Sequence, residues 1–80
     1  EISFYLGLAY QYLSRHEAAL EYLNKALALA EDKRPVLLAL STSYDQLGRY
    51  AKAIEVLETV IRQAPDDRTA FVRLGQIYMK

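Results

Sequence analysis

The chain has 80 residues, short of the roughly 100–150 of a typical domain, so it can build one modest core at most. Ten Lys plus Arg balance ten Asp plus Glu, and a formal charge of zero excludes a dedicated binder of nucleic acid or anionic lipid; the absence of cysteine excludes disulfides and thiolate metal sites and permits a reducing compartment. The longest uncharged stretch, Ile2 to Ser14, is thirteen residues, short of the roughly 20 of a membrane span, and no secretory signal opens the chain; a soluble, cytoplasmic protein is expected.

In chain order, Leu6, Tyr10 and Leu13 form one helical stripe, and Ala19, Leu20, Leu23, Ala26 and Leu27 a second. Ser14-Arg15-His16-Glu17 has the capping-box form and predicts the start of helix two at Ser14. That helix runs into the alanine-rich segment ending at Ala30, followed by the polar turn Glu31-Asp32-Lys33-Arg34 and a proline suited to a first helical turn. Helix three is predicted from about Pro35 to Leu47, closed by Gly48 as a left-handed cap, and helix four from about Tyr50 to Gln63. Ala64-Pro65-Asp66-Asp67 ends it, and helix five begins near Asp67 or Arg68 and continues to Lys80. The chain opens on Glu1 without an initiator Met and directly into an apolar run, which predicts a piece of a longer protein.

The sequence also repeats. Shifted by 34 residues it aligns 46 pairs with 12 identical, where composition alone gives roughly four. Leu6, Leu40 and Leu74 share a column, as do Tyr10, Tyr44 and Tyr78, Leu13 and Leu47, Ala19 and Ala53, and Leu23 and Leu57. Gly7, Ser41 and Gly75 hold a column of minimal volume. A helical glycine costs about 1 kcal/mol relative to alanine, so Gly7 and Gly75 are expected at close helix crossings, with the small Ala19 and Ala53 opposite.

These columns read Ser3-x-x-Leu6-Gly7-x-x-Tyr10 and Ala19-x-x-x-Leu23, then Leu37-x-x-Leu40-Ser41-x-x-Tyr44, Ala53-x-x-x-Leu57 and Pro65, then Phe71-x-x-Leu74-Gly75-x-x-Tyr78. The pattern resembles the tetratricopeptide repeat, Trp-x-x-Leu-Gly-x-x-Tyr followed by Ala-x-x-x-Phe and Pro. Departures are local: Ser3 and Leu37 replace the aromatic, Val60 stands where Ala26 stands one repeat earlier, and Glu31 occupies the column of Pro65. The resemblance implies an all-α, right-handed superhelical solenoid of helix-turn-helix repeats. Repeat one would span residues 1–34, repeat two 35–68 and a half repeat 69–80. Such units stack on their neighbours, so open end helices, through Phe71, Leu74, Ile77 and Tyr78 at one end and Ile2, Phe4 and Tyr5 at the other, are expected to fray or self-associate.

Parts for catalysis are few. His16 is the one histidine, and its neighbour Glu17 cannot face it on a helix, so a structural role is expected. Asp66 and Asp67 before a helix read as a cap rather than as metal ligands. The seven tyrosines lack the interleaved basic residues of a stacking platform for single strands. No cofactor, nucleic acid or membrane is expected as a ligand, and no enzyme activity.

The resemblance further implies a concave groove lined by the first helix of each repeat. Its columns fall on Glu1, Phe4, Tyr5, Leu8 and Tyr12, then Leu38, Ala39, Thr42, Asp45 and Gln46, then Thr69, Val72, Arg73, Gln76 and Lys80. The expected function is a non-enzymatic scaffold that offers this groove to a peptide or helix of a partner protein. Aromatic burial at Phe4, Tyr5 and Tyr12 would supply affinity, and Asp45 and Arg73 would fix register. Phe4, Tyr5 and Leu8 serve equally to pack against a preceding repeat. The family's carboxylate clamp for acidic chaperone tails is not expected, because Phe4, Leu8, Ala39 and Thr69 stand at its two lysines and two asparagines and only Arg73 fits. The alternative is a structural or self-associating array packed against another domain of the full-length chain.

Overall fold

Helical periodicity becomes five α-helices in the computed structural model, which describes residues 2–80: α1 (Ile2–Tyr12), α2 (His16–Leu29), α3 (Arg34–Gln46), α4 (Tyr50–Gln63) and α5 (Arg68–Tyr78). The described residues contain no strand. Glu1, the first groove column, lies outside them.

Chemistry at the helix ends explains where each helix stops. Gly48 takes a left-handed φ of 75° and ends α3, with Gly48 N–H donating to the Asp45 carbonyl and Arg49 N–H to that of Tyr44. Ser14 does the same for α1. Its φ is 62°, and the Ser14 and Arg15 amides donate to the carbonyls of Gln11 and Tyr10. The capping box expected at Ser14 is therefore absent: Arg15 occupies the N-cap of α2 with no side-chain cap bond, because the chain spends Ser14 on closing the preceding helix. At the far end of α2, the Lys33 ammonium donates to the carbonyls of Leu27 and Ala30, placing a cation on the negative pole of the helix. α5 opens as expected, with the Asp67 carboxylate accepting from Ala70 N–H at 3.1 Å.

Packing is sequential: α1 lies on α2, α2 on α3, α3 on α4 and α4 on α5, with α1 also touching α3. The buried core takes Ala19, Leu23 and Ala26 from α2, Val36, Leu37 and Leu40 from α3, and Ala53, Leu57 and Val60 from α4. Ala70 and Ile77 extend it into α5, with Leu74 half-buried against it, so Ile77 and Leu74, both expected at an open end, are covered wholly and in part. Phe71 and Tyr78 remain exposed.

The small-volume column divides. A Cβ added to Gly7 would lie 2.6 Å from both Cγ and Cδ2 of Leu23, so the close partner of Gly7 is Leu23 rather than the expected Ala19. One Cβ placed on Gly75 would meet nothing within 4 Å, since no helix covers that face of α5 among the described residues. The close crossing expected at Gly75 is absent here.

Candidate functional site

Because odd-numbered helices lie along one side of the stack, the groove columns of α3 and α5 come to face each other across a cleft of about 450 Å³. α3 contributes Ser41, Thr42, Asp45 and Gln46. α5 contributes Arg68, Thr69, Val72, Arg73, Gln76 and Ile77. Seven groove residues singled out from the sequence meet here: Thr42, Asp45, Gln46, Thr69, Val72, Arg73 and Gln76.

Its polar groups are partly committed to one another. Arg73 reaches from α5 to α3, where Nη1 donates to the Thr42 hydroxyl and to the Leu38 carbonyl, the latter at 3.4 Å. Leu38 is half-buried against the core and offers the cleft its carbonyl rather than its side chain. Lys80 donates to Asp45 Oδ1 at 2.8 Å and lies 5.6 Å from the centre of the Tyr50 ring. The hydrogen bond from Lys80 to Asp45 raises the pKa of the ammonium above the ordinary lysine value. Arg68, exposed at the rim, makes no ion pair among the described residues. With Asp45 neutralised by Lys80, Arg68 and Arg73 leave the cleft with a positive bias.

Aromatic candidates of α1 do not join this cleft. Phe4 is half-buried and lines a separate hollow of about 250 Å³ with Ala26, Leu29, Ala30, Pro35 and Val36. Tyr5 is exposed, its ring 5.9 Å from that of Phe4 and tilted by 53°. Leu8 packs against the core, and Tyr12 is 91% exposed. The groove columns thus form a polar cleft at one end and an aromatic surface at the other.

Between them lies a contact that the motif reading missed. Gln11 Nε2 donates to the Ala39 carbonyl at 2.6 Å and to the Ser43 hydroxyl at 2.7 Å, tying α1 to α3. Gln11 shares its 34-residue column with Asp45, which is the signal that could have found it. His16 Nδ1 lies 3.4 Å from the same Ser43 oxygen, whereas Glu17 pairs with Arg49 at 2.8 Å. The imidazole thus belongs to a packing contact between α2 and α3. Among the described residues no group of three or more His, Cys, Asp or Glu is placed to hold a metal ion. No helix among them is long and apolar enough to cross a membrane.

Compared with curated proteins, the chain shows no match. A family model described as tetratricopeptide repeat matches residues 12–79, a span running from the end of α1 through α5. Repeats of this kind generally mediate protein–protein interaction as non-enzymatic scaffolds. The spacing of the columns, the paired helices and this match agree: the chain belongs to the tetratricopeptide repeat family.

Proposed function

We propose that the chain is an interaction scaffold built of repeats 1–34 and 35–68 and a half repeat 69–80, and that it presents its groove to an extended peptide or helix of a partner protein. The observation that carries this reading is the α3–α5 cleft, whose volume admits a few side chains and whose lining mixes Val72 with Arg68, Thr69, Gln46 and Gln76. Apolar area around Val72 would contribute affinity, and the arginines would orient acidic or carbonyl groups of the ligand. Tyr5 and Tyr12 extend the same side of the stack and would engage a ligand long enough to pass the Gln11 bridge.

A display library of extended peptides, selected against the chain, tests it. Enriched peptides should lose binding to Val72→Arg, which fills and charges the cleft, and keep it with Lys52→Glu on exposed α4. Peptides that bind both variants alike, or a library that yields none, would sink the reading.

A further inference from the structure

The hollow beside Phe4 is apolar only in the first repeat. Shifted by 34 residues, its lining Phe4, Ala26, Leu29, Ala30, Pro35 and Val36 becomes Leu38, Val60, Gln63, Ala64, Thr69 and Ala70, so a glutamine and a threonine replace the exposed Leu29 and Pro35. Stacking of repeats does not account for the difference. Repeat two is flanked by α1 and α2 on one side and by α5 on the other, whereas repeat one is flanked among the described residues by α3 and α4 alone. Even so, both members of each of these columns are alike in burial: Phe4 and Leu38 are half-buried, Ala26 and Val60 buried, Leu29 and Gln63 exposed. On α1 the positions that a preceding repeat would cover are others. Ile2, Tyr5, Leu6 and Ala9 are exposed, and their equivalents Val36, Ala39, Leu40 and Ser43 are buried. Further repeats at either end would therefore leave the hollow open, with Leu29 69% exposed at its edge.

Glu31 and Asp32 stand at the rim, and Glu31 occupies the column where repeat two has Pro65. The two cations of the same turn are engaged elsewhere. Lys33 donates to the Leu27 and Ala30 carbonyls at the end of α2, and Arg34 Nη1 lies 3.5 Å from Asp67 Oδ2. Asp32 accepts from Arg34 N–H at 3.2 Å, and Glu31 makes no ion pair among the described residues. An apolar floor edged by two carboxylates free of ion pairs is complementary to a large apolar side chain flanked by cations. We propose that this hollow docks an extended peptide of a partner protein, one that presents a side chain of leucine or phenylalanine size between lysines or arginines. The α3–α5 cleft, lined by Arg68 and Arg73, favours the opposite charge, so the two sites select different ligands.

The probes are three pentapeptides with blocked ends, Gly-Lys-Phe-Lys-Gly, Gly-Glu-Phe-Glu-Gly and Gly-Lys-Ser-Lys-Gly, each titrated into the isotope-labelled chain with the amide signals followed by NMR. The first should give saturable shifts at Phe4, Leu29 and Val36, the second should bind there several-fold more weakly, and the third should not saturate. Leu29→Gln installs the repeat-two residue at an exposed position and should weaken the first peptide by about threefold or more. Glu31→Gln combined with Asp32→Asn keeps an oxygen for Arg34 N–H, and should bring the lysine and glutamate peptides to similar affinity. Val72→Arg should leave the first peptide's binding unchanged, which separates this site from the cleft. The proposal is overturned if no saturable shift appears at the hollow, if the charge of the peptide makes no difference, or if Leu29→Gln binds as the parent does. It is equally overturned if the amides of the hollow shift with protein concentration alone and the peptide does not reverse this, since a second copy is then the occupant.

Discussion

Leu23 fills the space that a side chain on Gly7 would need, its Cγ and Cδ2 both 2.6 Å from where a Cβ would sit. Leu23 is fully buried and cannot swing away, so Gly7→Ala must push α1 off α2. Overpacking of this kind costs roughly 1–3 kcal/mol, outweighing the helix propensity gained. Gly75→Ala meets no neighbour and keeps the gain of up to about 1 kcal/mol. Thermal melts should therefore move in opposite directions for two glycines in the same repeat column, by about 4–8 °C per kcal/mol for a domain of this size. Equal shifts would show that the crossing is not set by Gly7.

Ser14 and Gly48 close successive helices with the same left-handed turn, at φ of 62° and 75°. An L-residue in that region costs roughly 1–2 kcal/mol, part of which returns through the unfolded chain when glycine is introduced. Ser14→Gly should raise stability by about 0.5–1 kcal/mol. Gly48→Ala should lower it by about 1 kcal/mol although its Cβ would touch nothing, since backbone strain alone is at work. Urea titrations of the two variants check both signs.

Ser14 also shows where one-dimensional reading stops. The pattern Ser-x-x-Glu fits a capping box, but the 34-residue alignment puts Ser14 over Gly48, and the turn follows the alignment. The boundaries of α4 and the start of α5 were legible because Gly48 and Asp67 act within a few residues of themselves, whereas α5 stops at Tyr78 and not at Lys80. The columns of the α3–α5 cleft were legible too, because a 34-residue period fixes which faces repeat. What the groove side chains do was not. Arg73 turns back onto Thr42 and the Leu38 carbonyl, and Gln11 crosses to Ser43, through choices of rotamer and helix offset that leave no periodic trace. The same holds for the partner of Gly7, which depends on the relative rotation of α1 and α2.

Lys80 and Asp45 join the end of α5 to the cleft. The carboxylate holds the ammonium protonated above its ordinary value near pH 10.5, so the contribution to folding is complete below that pH. It disappears as pH rises through the elevated native value. Asp45→Asn should return the Lys80 titration, followed by NMR at Cε, toward the ordinary lysine midpoint, and should leave the melt at pH 7 more sensitive to loss of the pair than the melt at pH 12. The pair is partly solvent-exposed, so added salt should narrow the difference between the two proteins. An unchanged Lys80 midpoint in Asp45→Asn would show that the pair does not form in solution.

Gln11 offers the sharpest test of how the two helices of the groove are joined. Its amide bridges α1 to the backbone of α3 at the Ala39 carbonyl, and it also donates to the hydroxyl of Ser43, which is fully buried. Removing the amide strands a buried hydroxyl, which costs about 1–3 kcal/mol, with His16 at 3.4 Å as its one remaining neighbour of suitable chemistry. Gln11→Leu should therefore destabilise the chain within that range, although it adds an apolar side chain. Ser43→Ala removes the group that would be stranded. In the Gln11→Leu background Ser43→Ala should be close to neutral or stabilising, while alone it should be destabilising, giving a coupling energy of about 1 kcal/mol or more between two residues 32 apart in sequence. Additive effects in urea titrations of the four proteins would mean that the bridge carries no stability, and that α1 is held to the groove by its packing on α2 and α3.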